Sequence, residues 1–365
     1  MQLVFVHLGQ LIPEHLKLNI ERHLNLFPEI PVTLVHNCEN VDAKFNALSV
    51  ETFKYTRTPL INEVVNQLSH DKAFRNNFWI YTLERFFALE QFHLFIGMNN
   101  MMHIESDVLL LPDFPWDTFA TQDKVYFTRF NADKDVASIL FSPSPEKTKN
   151  FVKEISYELR NCTDLTDMTA LSILSNKLDD SFFILPSAPN DTETFFNGNN
   201  RSSSTSKKSV SKNYDIFNGI FDPAPIGMWL TGQDPRNQFG FSLIMSRNII
   251  DSGDSYIDPS QGRYLLTKSG ALRVIIDHME YPLWNLHIHS KNLDLFGKDW
   301  ISSLSYFVEN STVKKKYSKF SFIVLKNLLL DNFNQGTLLR FLGNLPLLNQ
   351  IKLIIKKFLE ISGLR

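Results

Sequence analysis

Residues 2–36, QLVFVHLGQLIPEHLKLNIERHLNLFPEIPVTLVH, decide the fold class. The apolar run at 2–8 is typical of a buried strand, and Gly9 ends it. Residues 13–26 follow with apolar side chains four positions apart, a helical spacing, and 31–36 is a second strand-like run. A strand, a helix and a strand in this order predict an α/β fold with a parallel sheet, whose ligand site lies at the carboxyl ends of the strands.

Composition excludes several classes of protein. The 365 residues are 43% hydrophobic and 21% charged, which is typical of a globular chain with one large domain or two ordinary ones. A net charge of −2 argues against general nucleic-acid binding. The glycine fingerprint of dinucleotide-binding dehydrogenases is absent after the first strand. Two cysteines and no secretory signal predict a cytoplasmic protein, and no apolar run is long enough to predict a transmembrane helix.

The rest of the chain continues the α/β pattern. Residues 78–95 predict a largely apolar helix that is buried on more than one side. Residues 187–213 are rich in Ser, Asn, Lys and Thr and predict a loop, which either links domains or orders when substrate binds. Further short strands are predicted at 101–104, 124–130, 136–142, 271–277 and 284–289.

Residues 306–365 differ from the main domain, 1–305, in charge. They hold ten Lys or Arg and three Asp or Glu, a net charge of +7. Apolar residues at spacings of three and four predict helices here. This basic helical extension either lies on an anionic membrane surface or packs as a cap with its lysines exposed.

An acidic triplet, Glu105-Ser106-Asp107, stands where the predicted strand 101–104 ends. Carboxylates so close repel each other unless a cation lies between them or they bind different partners. An oxygen-ligated divalent ion that also bridges a diphosphate meets this need, because such ions keep positions open for phosphate oxygens. The alternative is a solvated acidic turn.

A second group of polar residues lies in the stretch 284–291, WNLHIHSK. Strand alternation puts His287 and His289 on one face, and a neutral imidazole suits a manganese-type ion beside carboxylates. Lys291 adds a point charge for phosphate oxygens. The alternative is a pair of surface histidines on an edge strand.

The strand that runs into the acidic triplet, with a late His-x-His-Ser-Lys, resembles the nucleotide-sugar-dependent glycosyltransferases of the GT-A fold, of the bacterial surface-polysaccharide type. The resemblance covers roughly residues 1–300 and implies a Rossmann-like mixed sheet flanked by helices, so that 1–305 is the catalytic domain. It also implies an acid-x-acid motif that holds the donor and its metal, Mn²⁺ or Mg²⁺. A late His then completes the metal shell, and Lys291 touches the diphosphate.

The same resemblance assigns the donor contacts. His7 and Gly9 follow the first strand, where the family receives the nucleoside. Arg85 lies on the helix before the acid motif, where several GT-A families place an Arg that reaches the donor. Glu105 departs from the family, which has Asp at this position. The first acid of the family motif often contacts the ribose or a metal-bound water, so Glu105 is expected to contact the donor.

Asp107 is then the expected metal ligand. Whether His287 or His289 joins it stays open, with a preference for His289 because it lies nearer to the Lys in the chain.

The implied reaction is transfer of a sugar from a nucleoside diphosphate, UDP being the expected carrier, to a glycan or glycolipid acceptor in cell-surface polysaccharide or lipopolysaccharide synthesis. An inverting enzyme needs a carboxylate base, and the expected candidates are Asp222 and then Asp234. Each also precedes a proline, where an Asp commonly initiates a turn.

Two other functions stay open: a metal-dependent phosphodiesterase or nucleotide hydrolase, and a non-catalytic glycan-binding protein. The expected location is the cytoplasm, with peripheral contact at the inner face of the cytoplasmic membrane through 306–365 if the extension binds lipid.

Overall fold

The computed structural model of the protein describes residues 1–39, 45, 48, 50–70, 77–177, 181–190, 192–196, 209–234 and 255–311. The strands within these ranges are β1 Gln2–His7, β2 Val32–His36, β3 Glu51–Lys54, β4 Met101–Ile104, β5 Val108–Leu110, β6 Val125–Arg129, β7 Asp135–Ser142, β8 Phe182–Leu185, β9 Arg263–Leu266, β10 Leu272–Ile276, β11 Met279–Leu283 and β12 Asn285–His287. The helices are α1 Glu14–Leu26, α2 Pro59–Gln67, α3 Phe78–Ile96, α4 Trp116–Ala120, α5 Pro145–Asn161, α6 Asp167–Lys177, α7 Tyr214–Phe217, α8 Pro225–Thr231 and α9 300–311.

Seven strands form the central sheet, in the order β3-β2-β1-β4-β7-β6-β8. β1 pairs in parallel with β2 on one side and with β4 on the other, whereas β7 runs antiparallel to both of its neighbours. The predicted α/β fold, a mixed sheet flanked by helices, is confirmed. Because the chain leaves β1 toward β2 and later returns to its other side at β4, the strand order reverses between β1 and β4, where open α/β sheets bind their ligands.

Two helical layers cover the sheet, and the alternation of side chains along each strand divides the core between them. On one face, Val4 packs with apolar residues of α2, α3, α5 and α6. On the other face, Leu3 and Phe5 pack with α1 and α4. The predicted burial of α3 on several sides is confirmed, since apolar residues around its circumference are buried.

A smaller layer lies beside the main sheet. β9, β10 and β11 form an antiparallel sheet, and β12 pairs antiparallel with β5. Apolar residues of α8 and α9 pack against these strands. The β5–β12 pair matters most for the site, because it brings His287 opposite Val108, directly after the acidic triplet.

The predicted loop and extension are described only in part. At the two ends of the 187–213 loop, the backbone N–H of Ser187 donates to the carbonyl of Val210 over 2.8 Å, while residues 191 and 197–208 lie outside the described ranges. The predicted boundary at 305/306 falls inside α9, and 312–365, most of the basic extension, lies outside them too. Within the described residues, no helix has the length and apolar character needed to cross a membrane.

Candidate functional site

The acidic triplet forms the turn between β4 and β5, and side chains of α1 form hydrogen bonds with this turn. The side-chain amide of Asn19 donates to the carbonyl oxygens of Ser106 and Val108 over 3.1 and 2.8 Å. His15 Nε2 lies 3.1 Å from the Ser106 hydroxyl. The middle residue of the triplet is thus tied to α1, and the carboxylates on either side of it are both directed to β12.

His287 completes a three-residue group with these carboxylates. Its Nε2 lies 3.5 Å from Asp107 Oδ1 and 3.7 Å from Glu105 Oε2. One ligand atom from each residue lies within 4.8 Å of the other two. His287 Nδ1 lies 3.0 Å from the carbonyl oxygen of Pro223, and because a carbonyl can only accept, Nδ1 carries the hydrogen and Nε2 faces the acids.

The donor set of this group fits a divalent cation. Two carboxylates and one imidazole suit a manganese-type ion, and the Nδ1–H bond to a backbone carbonyl is the usual support of a ligating histidine. Glu105, Asp107 and His287 are the residues that would hold the ion.

Charge interactions in the group are strong because Asp107 and His287 are buried and Glu105 is partly buried. Burial alone disfavours a charged imidazole, but Asp107 and Glu105 outweigh it and raise the pKa of His287 to about 9. Burial also opposes ionisation of Asp107, yet the charges of His287 and Lys291 lower the pKa of its carboxyl well below the usual value. A cation that binds here must therefore displace the proton of His287.

Lys291 adds a further positive charge at the same place. Its Nζ lies 3.5 Å from Asp107 Oδ2 and 3.7 Å from Asp234 Oδ2. The backbone of Lys291 has a φ of +53°, a left-handed turn that ends the β12 segment. The predicted diphosphate-binding lysine and the predicted second base thus lie beside the acidic triplet.

His289, the preferred metal ligand from the sequence, lies outside the three-residue group. Its Nδ1 accepts the backbone N–H of Asp234 over 3.0 Å, so the ring hydrogen of a neutral His289 is on Nε2. Burial and the charge of His287 lower the pKa of His289 to about 4. The geometry favours His287 as the ligand, because only its Nε2 is directed at both carboxylates.

The family resemblance suggests that Arg85 reaches the donor. In the structure, its guanidinium is paired with two carboxylates instead. One end of its guanidinium pairs with Glu105, and the other donates to Asp167 Oδ2 over 2.6 Å. Burial opposes the charge of Arg85, but the two carboxylates raise its pKa. Asp167 could not be predicted as a site residue, because its one local signal in the sequence is its place in the first turn of a helix.

His7 and Gly9 lie at the carboxyl end of β1, at the same edge of the sheet as the acidic triplet. Gly9 has a φ of +148°, and its N–H donates to Asn37 Oδ1 over 2.9 Å. Its carbonyl accepts from the Cys38 thiol over 2.8 Å. The position predicted for nucleoside binding is therefore a turn at the point where the strand order reverses.

Asp222, the first candidate for the base, has a different environment from the one expected. Its side chain is 0% exposed, and both of its oxygens accept backbone N–H groups. Burial raises the pKa of the Asp222 carboxyl. Asn285, a buried residue with no local signal in the sequence, bonds to the Asp222 backbone. These contacts favour a structural role over proton abstraction from an acceptor.

No family model and no curated protein matches the sequence. Among solved structures, the PaToxG glycosyltransferase is similar over 49% of this chain and 69% of its own, with 11% identity and a TM-score of 0.32. The apo-form glycosyltransferase GlyE of Streptococcus pneumoniae TIGR4 is similar over 50% of this chain and 44% of its own, with 12% identity and a TM-score of 0.34. The galactosyltransferase LgtC, solved with donor and acceptor sugar analogues, is similar over 50% of this chain and 73% of its own, with 9% identity and a TM-score of 0.36. All three TM-scores are below 0.5, so the assignment of function rests on the geometry of the site.

Proposed function

We propose that the chain is a metal-dependent glycosyltransferase of the GT-A type, which moves a sugar from a nucleoside diphosphate, UDP being the expected carrier, to a glycan or glycolipid acceptor. The observation that carries the proposal is the group of Glu105, Asp107 and His287, which stands where the strand order reverses. A site at this edge that combines a buried and a partly buried carboxylate with an imidazole and a lysine suits a diphosphate with a divalent cation.

The chemistry follows from where charge develops. Breaking the bond between sugar and phosphate builds negative charge on the leaving diphosphate. A bound Mn²⁺ or Mg²⁺ would supply positive charge and Lewis acidity for that group. Lys291 adds its ammonium charge beside Asp107, and Arg85 keeps Glu105 ionised and in place through their ion pair. The turn at His7 and Gly9 is proposed to receive the nucleoside.

The acceptor hydroxyl must lose its proton during transfer. If the reaction inverts configuration, we propose Asp234 as the base, because its carboxylate lies beside Lys291 at the site. Retention would not require a base at this position.

The acceptor class is the part of the proposal that depends on the extension. Ten basic residues in 306–365 suit an anionic membrane surface, where each contributes about 1 kcal/mol of binding. A lipid-linked acceptor in cell-surface polysaccharide synthesis would lie at such a surface.

Binding of nucleoside diphosphates tests the proposal. The melting temperature is measured with UDP, GDP, CDP and ADP, with and without Mn²⁺. A ligand at 100 times its Kd stabilises the folded state by about 2.7 kcal/mol, so binding is readily detected. We expect UDP to raise the melting temperature of the wild type only when Mn²⁺ is present, and Asp107→Asn to abolish the effect.

Asp113→Asn is the matched control, because Asp113 is an exposed carboxylate in the same stretch of chain, with a φ of +66° that Asn also tolerates. It should behave as the wild type does. If no diphosphate stabilises the wild type, the donor site is not where we place it. If a UDP-sugar is hydrolysed equally fast with or without glycan acceptors, the hydrolase alternative replaces transfer.

A further inference from the structure

The carboxylate of Asp222 has all of its hydrogen-bonding capacity in use. Oδ1 accepts the backbone N–H groups of Ala224 and Ile226 over 3.0 and 2.9 Å. Oδ2 accepts those of Gly227 and His287 over 2.7 and 3.1 Å. A carboxylate offers about four lone-pair sites, so no lone pair remains for the proton of an acceptor.

Hydrogen bonds join the segment 222–227 to β12 at Asn285 and at His287. Asn285 Nδ2 donates to the carbonyl of Asp222, and the N–H of Asp222 donates to Asn285 Oδ1, both over 3.0 Å. The neighbouring Pro223 carbonyl accepts the His287 ring hydrogen. The segment therefore holds both the backbone and the imidazole of His287.

Gly227 shows how closely the segment lies on β12. A Cβ atom built at Gly227 would lie 1.8 Å from the carbonyl oxygen of His287, so no larger residue fits without moving the strand. Asp222 holds Gly227 and His287 together, since its Oδ2 accepts the backbone N–H groups of both residues.

We propose that Asp222 is a positioning residue and not the base: it holds His287 with Nε2 directed at Glu105 and Asp107, and so sets the affinity for the divalent cation without touching cation or substrate. The inference rests on the metal site of the proposed function. The Pro223 carbonyl accepts the ring hydrogen of His287 and so fixes the orientation of the imidazole. The Asp222 carboxylate fixes that carbonyl in turn, because it accepts the Ala224 N–H of the same peptide group.

Mn²⁺ titration followed by electron paramagnetic resonance tests the inference on the full chain without requiring a substrate. Asp222→Asn keeps the shape of the side chain but turns an N–H donor toward backbone N–H groups. Loss of an outer-shell partner typically weakens metal binding by roughly 10–100-fold, and we expect an increase in Kd of that size. If Asp222 is the base instead, Asp222→Asn binds Mn²⁺ as the wild type does and loses turnover.

Asp258→Asn is the matched control. Asp258 also precedes a proline, and it also accepts a backbone N–H at the start of a short helix, with Oδ1 accepting the N–H of Ser260 over 3.0 Å. Its other oxygen accepts from the side chain of Gln261, so the hydrogen bonds of this carboxylate are to residues two and three positions along the chain. The Mn²⁺ affinity of this variant should equal that of the wild type. If the loss of an Asp that accepts backbone N–H groups weakens Mn²⁺ binding only through a general loss of stability, Asp222→Asn and Asp258→Asn should both show it.

A double-mutant cycle shows whether Asp222 acts through His287. In the His287→Ala background, the residual Mn²⁺ affinity should be the same with and without the Asp222→Asn substitution, and an undiminished effect would overturn the inference. If Asp222→Asn does not fold, Asn285→Ser removes the bonds to the Asp222 backbone but leaves the carboxylate. That variant should also weaken Mn²⁺ binding, and an unchanged Kd would overturn the inference.

The two proposals fail separately. A wild type that binds no Mn²⁺ removes the metal site and the proposed function with it. A wild type that binds Mn²⁺ and an Asp222→Asn variant that binds it equally well remove only the positioning role.

Discussion

The two histidines of the 284–291 stretch differ in whether Nδ1 donates or accepts a hydrogen bond. His287 uses Nδ1 as a donor to Pro223, which leaves Nε2 at the carboxylates. His289 uses Nδ1 as an acceptor for the Asp234 backbone. Two histidines only two positions apart therefore receive opposite hydrogen-bond partners at Nδ1, and only the His287 imidazole directs Nε2 at the carboxylates.

We predict that His287→Ala raises the Kd for Mn²⁺ by at least about 100-fold, since a ligand matters more than its outer-shell support. His289→Ala should change it by less than about 3-fold. The pair is measured by the same Mn²⁺ titration, and each variant controls for the other. A larger loss in His289→Ala than in His287→Ala would restore the preference drawn from the sequence.

Between elements, the ion pairs of Arg85 connect three pieces of the fold. The residue belongs to α3, Glu105 to the turn after β4, and Asp167 to the first turn of α6. Burial raises the pKa of Asp167, which Arg85 opposes. Without the guanidinium, the buried Asp167 carboxylate and the partly buried Glu105 carboxylate would face each other with no cation between them.

Arg85→Met should therefore lower the free energy of unfolding by about 3–5 kcal/mol, the range for breaking a buried ion pair on one side. Arg273→Met is the control, because the Arg273 guanidinium lies 3.9 Å from a largely exposed Glu280 carboxylate, and such surface pairs contribute at most about 1 kcal/mol. Urea unfolding at neutral pH measures both. Equal effects would mean that the buried pairs do not hold these elements together.

At the scale of the whole molecule, His23 makes the stability of the fold depend on pH. Burial and the charge of Arg22 lower the pKa of His23 to about 3. Its ring lies 5.5 Å from that of Phe5, and its Nδ1 hydrogen goes to the Asn19 carbonyl. The unfolded chain takes up a proton on this ring near pH 6.5 and the folded chain does not, so stability is fully present above pH 6.5 and falls as the pH is lowered toward 3.

Between pH 7 and pH 5, this single group should cost about 2 kcal/mol of unfolding free energy. In His23→Leu the difference between the two pH values should shrink by that amount. His278→Asn, at an exposed position with a φ of +69°, should leave it as in the wild type. Urea unfolding at pH 7 and pH 5 measures this difference in unfolding free energy. A difference in His23→Leu equal to that of the wild type would contradict the prediction.

The sequence predicts those structural features that are determined by residues close together in the chain. The opening strand, helix and strand, the acidic turn and the strand near 285 could be recognised because each has a local pattern. Partners far along the chain could not: Arg85 and Asp167 are 82 positions apart, and Asp222 and Asn285 are 63 apart. The expectation that Asp222 is the base could not take these contacts into account, since nothing next to it in the sequence reveals that its oxygens are occupied.

The pairing of β5 with β12 joins Asp107 to His287 across 180 positions of the chain. During synthesis at roughly 5–20 residues per second, the acidic turn leaves the ribosome roughly 10–40 s before its histidine. The nascent chain therefore carries two clustered carboxylates with no imidazole to share a cation. In the proposed function, the cation site is complete only after β12 has been synthesised, and a chain that ends before β12 lacks His287.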